Sequence, residues 1–174
     1  MFEILIFVVA NVWIVYVSWP SFRHIRSHGF YRFFAFEAIL ILFLLNMRYW
    51  FNAPFAIHQI ASWFFLLCSL FLVIHGFYLL RLIGKPKRDI EDTTVLVKQG
   101  AYKYIRHPLY SSLFFGCWGV FFKQPSPIGA VLGVLASMAV IATAKVEERE
   151  NLGKFGHEYS EYMRSTKMLI PFLF

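Results

Sequence analysis

Residues 57–80, IHQIASWFFLLCSLFLVIHGFYLL, contain no aspartate, glutamate, lysine or arginine. An apolar stretch of about 20 residues or more is what an α-helix needs to cross the hydrocarbon core of a bilayer. Runs of about 10 to 14 residues would be typical of a buried helix in a soluble protein. The stretch therefore predicts a transmembrane helix, and it decides the class of fold.

Four more apolar runs, in which Glu3 and Glu37 are the only charged residues, occur at residues 2–19, 33–47, 109–122 and 128–144. The sequence therefore predicts an all-α integral membrane protein with about five transmembrane helices. The fourth run is short and needs interfacial residues at its ends to span. The first lacks the features of a signal peptide and is expected to stay in the mature protein. After the fifth run we expect a polar, cytoplasmic C-terminal helix and then an apolar tail that docks back on the membrane.

The formal net charge is +7, and the basic residues fall mainly in alternate connections, after the first, third and fifth apolar runs. The other two connections contain only Arg48 and Lys123. By the positive-inside rule the N-terminus lies outside and the C-terminus lies in the cytoplasm, as an odd number of helices also requires. Membrane orientation thus accounts for the positive charge, and we expect no nucleic-acid partner.

Cysteine and histidine give no sign of a metal site. Cys68 and Cys117 both lie in apolar runs, where cysteine behaves as a small hydrophobic residue. The histidines are scattered without the spacing of metal ligands. We therefore expect no metal ion.

Polar residues concentrate at one predicted cytoplasmic corner, where the fourth run begins and the fifth ends. A short connection joins the two runs, so they should form a hairpin that brings the two polar sets together. Acids, bases and aromatic rings in one place suit a charged, amphiphilic cofactor. The alternative is a cluster of interfacial tyrosines with ion pairs. The residues are Tyr102, Tyr104, Arg106, His107 and Tyr110 on one side, and Glu147, Glu148, Arg149, Glu150, Tyr159 and Tyr162 on the other.

Two motifs occur in these sets, GAYKYIRHPLY at residues 100–110 and EERENLGKFGHEYSEY at residues 147–162. These motifs, in this order, resemble those of the membrane methyltransferase family of isoprenylcysteine carboxyl methyltransferase and its phospholipid-methylating relatives. The resemblance covers roughly residues 95–171 and includes a late proline, Pro171. The chain departs from the family pattern at Ser112, Asn151, Ser165 and Lys167.

The resemblance implies transfer of a methyl group from S-adenosylmethionine to a lipophilic acceptor at the cytoplasmic membrane face. The acceptor would be an isoprenylcysteine α-carboxylate or a related lipid, reached through the bilayer. Residues 1–80 would then be a three-helix transmembrane scaffold and residues 81–174 the catalytic region. The alternative is a non-catalytic lipid-binding protein or subunit of the same fold. A related reductase is disfavoured because no glycine-rich phosphate loop is present.

The resemblance also implies the site residues. For the acceptor and the reaction these are Arg106, Arg164 and Glu148. For the cofactor they are Gln99, Gly100, Ala101, Tyr102, Tyr104, His107, Pro108, Tyr110, Glu147 and Glu148.

Overall fold

The computed structural model describes residues 2–23, 27–87, 90 and 92–174. Within these ranges the regular structure is helical, with no β-strand, so the prediction of an all-α protein is confirmed there. A π-helical turn, Leu80–Gly84, extends the third helix, and a 3-10 helix, Gly100–Lys103, precedes the fourth. The α-helices are α1 (Phe2–Ser18), α2 (His28–Asn46), α3 (Ile57–Leu79), α4 (Pro108–Phe121), α5 (Pro127–Phe155) and α6 (His157–Ser165).

Among the residues that the structure describes, three helical segments are long and apolar enough to cross a membrane, namely His28–Tyr49, Ile57–Gly84 and Pro127–Phe155. They include the second, third and fifth predicted spans. Helices α1 and α4 occupy the positions of the first and fourth, but they are 17 and 14 residues long. The membrane character of the chain is thus supported, whereas the count of five spans stays a prediction.

Helix α4 lies between α3 and α5, and small residues let the backbones approach. A Cβ atom on Gly119 would lie 2.8 Å from Leu66 Cγ, so α4 contacts α3 closely there. The Ser62 hydroxyl donates to the Gly119 carbonyl at 2.6 Å, and the Ser69 hydroxyl donates to the Ser112 carbonyl at 2.7 Å. These bonds satisfy polar groups that would otherwise be costly inside a membrane.

The predicted hairpin of α4 and α5 is present. Pro127 is the first residue of α5, and the Ser126 hydroxyl accepts a hydrogen bond from the Gly129 amide at 3.0 Å, which caps the helix. On the facing surfaces Gly133 lies against the Trp118 ring. The hairpin brings the start of α4 and the end of α5 to the same end of the bundle.

Candidate active site

A pocket opens at the end of the bundle where α4 begins. Its walls come from α4, the last turns of α5, α6, and the connection between α3 and α4. It holds roughly 500 Å³ of empty space, including its open mouth. Both polar and apolar side chains line it. The lining residues are Leu80, Thr93, Leu96, Val97, Tyr102, Arg106, His107, Leu109, Tyr110, Glu147, Asn151, Phe155, Tyr159 and Tyr162.

The segment that leads into α4 is held in place by close backbone contacts. Gly100 has a φ of +56°, and a Cβ atom there would lie 2.4 Å from His75 Nε2. Only glycine fits this position without strain. The turn buries Tyr102, whose carbonyl accepts a hydrogen bond from the Tyr162 hydroxyl at 2.6 Å. Residues 99–101 are not among the lining residues, and they form the turn that precedes Tyr102, which does line the pocket.

Arg106 and Glu148 form a buried ion pair. Arg106 Nε donates to Glu148 Oε1 at 2.6 Å, and the two side chains are only 9% and 8% exposed. A second guanidinium nitrogen donates to the carbonyls of Met163 and Thr166 at 3.2 and 2.5 Å. The Arg106 guanidinium thus joins α5 to the end of α6, and much of its donor capacity is already used.

Glu147 lies one residue away and faces the pocket. One of its carboxylate oxygens accepts a hydrogen bond from the Tyr110 hydroxyl, and Asn151 Nδ2 donates to the other at 3.5 Å. The His107 ring stacks on the Tyr110 ring, with centroids 5.4 Å apart. Acid, amide, phenol and imidazole groups therefore adjoin one another in one wall.

His107 has an incompletely satisfied side chain. It is 3% exposed, with Nδ1 3.9 Å from Glu147 Oε1 and Nε2 3.5 Å from Glu148 Oε1. Neither separation makes a normal hydrogen bond, and Nε2 is buried without a hydrogen-bond partner. An unsatisfied buried polar group costs about 1 to 3 kcal/mol. The His107 ring thus lies between two carboxylates without a normal hydrogen bond to either.

Two buried tyrosines on α6 cover the pocket. Burial raises the pKa of both Tyr159 and Tyr162, so their hydroxyls stay protonated and act as neutral hydrogen-bonding groups. Two ion pairs fasten this part of the chain to the α3–α4 connection. They join Lys98 to Glu158 at 2.8 Å and Lys154 to Asp92 at 2.6 Å.

The structure brings most of the residues predicted from sequence together. Five of them line the pocket, Glu148 lies behind it, and Pro108 is the buried first residue of α4. Five others lie outside the lining: Gln99, Gly100 and Ala101 form the turn before Tyr102, Tyr104 is half exposed beside Phe172, and Arg164 is exposed on α6. The five lining residues are Tyr102, Arg106, His107, Tyr110 and Glu147.

Sequence reasoning did not assign several pocket residues. Asn151 contacts Glu147, and the only sequence signal for it was its departure from the family pattern. Leu80, Thr93 and Val97 are buried and line the wall opposite α5. Apolar and hydroxyl residues of this kind carry no sequence signal of their own. Together with the polar wall they make a site for a ligand that has both an apolar ring and charged groups.

Comparison with known proteins agrees with this chemistry. A sequence model described as phospholipid methyltransferase matches residues 57–164. The chain is 31% identical over 116 residues to methanethiol S-methyltransferase of Crocosphaera subtropica, covering 64% of this chain and 44% of the relative. It is 36% identical over 74 residues to methanethiol S-methyltransferase 2 of Bradyrhizobium diazoefficiens, covering 42% of this chain and 27% of the relative.

A further relative is protein-S-isoprenylcysteine O-methyltransferase of Saccharomyces cerevisiae, 31% identical over 92 residues. That match covers 52% of this chain and 38% of the relative. The chain thus spans less than half the length of each of these curated relatives. No solved structure matches the chain.

Proposed function

Because the chain belongs to the phospholipid methyltransferase family, we propose that it transfers a methyl group from S-adenosylmethionine to a lipophilic acceptor. The first candidate acceptor is an isoprenylcysteine α-carboxylate or a related lipid, methylated at the cytoplasmic membrane face. The observation that carries the proposal is the pocket. It places Glu147 and the unsatisfied His107 nitrogen beside apolar walls.

The pocket residues fit the proposed donor. S-adenosylmethionine has an ammonium group, a carboxylate, ribose hydroxyls and an adenine ring, so its site requires both polar and apolar walls. We assign His107 to the methionine end of the donor and Glu147 to one of its polar groups. We assign residues 99–102 and Tyr110 to further contacts with the donor. When bound, the sulfonium supplies an electrophilic methyl group. The assignment uses a buried imidazole whose Nε2 lies 3.5 Å from Glu148 Oε1 and makes no normal hydrogen bond within the protein.

In this proposal the side chains mainly hold the donor and the acceptor in place and exclude water. Methyl transfer to an acceptor that is already an anion needs no base, so alignment and exclusion of water are the main contributions of the protein. Arg106 is engaged by Glu148 and by two carbonyls, and its proposed role is therefore to keep the pocket walls together. Arg164 remains the candidate cation for an acceptor carboxylate, because it has no carboxylate partner among the described residues.

A thiol acceptor is the second candidate, favoured by the relatives that are named methanethiol S-methyltransferases. A thiol must lose its proton as the new C–S bond forms, since a thiolate is the effective nucleophile. His107 and Glu147 are the pocket groups placed to take that proton. A thiol reaction should therefore require a base in the pocket, whereas carboxylate methylation should not.

Donor binding is the first test. We expect the purified protein in lipid nanodiscs to bind S-adenosylmethionine and S-adenosylhomocysteine in calorimetry. Glu147→Gln should weaken binding about 10- to 100-fold, because a hydrogen bond to a charged group contributes about 1.5 to 3 kcal/mol. The matched control is Glu150→Gln, which removes an exposed carboxylate paired with His28. A folded protein that binds neither compound would instead support the non-catalytic lipid-binding alternative.

Acceptor identity is tested separately, with donor carrying a labelled methyl group. Prenylcysteine, phospholipid amine and a small thiol are offered in parallel, and the products are extracted and identified.

If the tail of a lipophilic acceptor enters through the bilayer, shortening it by several carbons should sharply lower kcat/KM, because each buried CH₂ contributes roughly 0.8 kcal/mol. Equal methylation of a fully water-soluble acceptor would refute that route.

A further inference from the structure

Residues 168–174, called the hook below, turn back on themselves after α6. The amides of Leu169 and Ile170 both donate to the Phe174 carbonyl, at 2.8 and 2.6 Å, and the Phe174 amide donates to the Ile170 carbonyl at 3.1 Å. Phe172 has a φ of +66° at the bend. The hook therefore has a closed, hydrogen-bonded shape.

The inner half of the hook is fixed to the bundle. Met168 and Leu169 are buried in one cluster with Ala35 of α2 and with Val140 and Ala144 of α5. The Ser111 hydroxyl of α4 donates to the Leu169 carbonyl at 2.7 Å. Helices α2 and α5 belong to segments that are able to cross a membrane. The hook is thus held against the apolar part of the bundle.

The outer half of the hook is exposed and apolar. Phe172 and Leu173 are 80% and 78% exposed. The Phe172 ring lies 6.1 Å from the ring of Tyr104, which is itself half exposed. Large apolar side chains that stay uncovered in this way mark an interaction surface.

Basic residues border this apolar surface. Lys103 places its ammonium 5.9 Å from the centre of the Tyr104 ring. Lys167 is exposed, and its amide donates to the Tyr104 carbonyl at 3.1 Å. Within the part of the chain that the structure describes, neither lysine has a carboxylate partner. Apolar and aromatic side chains edged by lysines are typical of segments that lie in the interface of an anionic membrane.

We propose that the hook inserts Phe172 and Leu173 into the interface of the membrane that the helices cross, with Lys103 and Lys167 on anionic headgroups. The occupant of this surface is the lipid of the same leaflet. The proposal concerns the membrane and does not depend on methyl transfer.

The hook is also joined to the pocket. The amides of Arg106 and His107 donate to the carbonyls of Lys167 and Met168, at 2.8 and 3.2 Å. The Thr166 carbonyl accepts a hydrogen bond from the Arg106 guanidinium. Anchoring the hook in lipid therefore steadies the segment that carries Arg106 and His107.

The test measures where the hook lies. A nitroxide label is attached at Leu173→Cys in a Cys68→Ala background, with the buried Cys117 retained and the parent chain giving the background signal. In vesicles of phosphatidylcholine with phosphatidylserine, collisions with oxygen should exceed those with a water-soluble nickel chelate. A label at Glu161→Cys, on the exposed face of α6, is the control and should favour nickel. A Leu173 label that also favours nickel would overturn the proposal.

The contribution of the two lysines is tested by changing the charge of the lipid. In Lys103→Gln/Lys167→Gln the ratio of inserted to uninserted hook in phosphatidylserine vesicles should fall about fivefold per lysine, to the value in pure phosphatidylcholine. Lys85→Gln/Lys87→Gln, with the same change of charge in another connection, should leave it unaltered. Insertion that is equal with and without phosphatidylserine would refute the headgroup contact. Dipolar coupling between labels on two chains would identify a second copy as the occupant and overturn lipid docking.

Discussion

The two ends of the helix bundle both bury charged side chains, but they satisfy them differently. At the end opposite the pocket, Lys123 is fully buried, and its ammonium lies 3.5 Å from the centre of the Trp63 ring and 5.0 Å from that of Trp50. It donates to the Gln59 side-chain oxygen at 3.2 Å. The Gln59 amide nitrogen in turn donates to the carbonyls of Lys123 and Tyr49, both at 3.0 Å.

At the pocket end, by contrast, the buried pair of Arg106 and Glu148 adjoins an imidazole nitrogen without a partner and a cavity. A buried charge alone therefore does not mark a functional site. The distinguishing signs are polar groups that the protein leaves incompletely satisfied, next to space that a ligand can fill. The side chains of Lys123 and Gln59 are partnered by hydrogen bonds and an aromatic ring, and the cluster is interpreted as structural.

The largest expected difference between the two ends is the side of the membrane they face. Cysteines at the exposed residues Gln124 and Val95, in a Cys68→Ala background, report on the turn near Lys123 and on the pocket side. A membrane-impermeant thiol reagent should label Gln124→Cys from outside in intact cells. It should label Val95→Cys only after permeabilisation, because the basic connections are assigned to the cytoplasm. The opposite pattern would reverse the predicted orientation.

The next largest effect is expected on breaking the ion pair at the pocket end. Arg106→Ala should lower the free energy of unfolding by about 3 to 5 kcal/mol, because Glu148 would be left buried without its partner. Unfolding in mixed micelles with increasing sodium dodecyl sulfate measures this. Arg106→Met/Glu148→Leu should recover much of the loss.

The exposed pair of His157 and Glu161 is the control for that experiment. His157→Ala should change the free energy of unfolding by less than about 1 kcal/mol. An Arg106→Ala loss no larger than this would mean that the buried pair does not hold the pocket end together.

At the opposite end we expect a loss of stability and no effect on the pocket. Gln59→Leu removes the oxygen that accepts from Lys123 and the amide that donates to two carbonyls. The hydrogen bond to the charged group alone contributes about 1.5 to 3 kcal/mol, so the same unfolding measurement should show a loss of at least that size. Affinity for S-adenosylmethionine should stay at the parental value. A matching loss of donor affinity would contradict the structural interpretation of the Lys123 cluster.

The smallest effect concerns pH. Burial raises the folded-state pKa of Tyr159 and Tyr162, so above about pH 10 the unfolded chain releases protons that the folded chain retains. Stability should be unaffected below that pH and should fall above it, by up to about 1.4 kcal/mol per pH unit for each tyrosine.

Unfolding curves on either side of about pH 10 measure this slope. Tyr159→Phe should reduce the slope by the contribution of one proton, up to about 1.4 kcal/mol per pH unit. An unaltered slope in Tyr159→Phe would mean that this hydroxyl ionises equally in both states.

Much of the candidate site could be predicted from the sequence, because its residues occur in two short motifs. Tyr102, His107 and Tyr110 are near neighbours at the start of α4, and the hairpin brings Glu147 of α5 to them. The pocket wall from the α3–α4 connection could not be predicted in this way. Thr93 and Val97 carry no chemical signal, and they reach the pocket because the chain folds back after the π-helical turn.

For the apolar tail, too, the sequence predicts one part of the outcome and only the structure shows the other. The sequence predicts that residues 168–174 dock on the membrane because they are apolar. The structure divides them into an inner pair, Met168 and Leu169, that packs on the bundle, and an outer pair, Phe172 and Leu173, that stays exposed. Hydrophobicity alone does not distinguish these halves, since both contain similar side chains.

The sequence by itself determined the helices, the hairpin of α4 and α5 and the end of the bundle at which the motifs meet, because apolar length, prolines and short connections are local properties. Only the tertiary structure decided that Glu148 pairs with Arg106, that Arg164 is exposed, and that Lys123 is buried between tryptophan rings. These outcomes depend on how each helix is rotated about its axis. Because successive residues are about 100° apart around a helix, a small rotation changes which side chains meet.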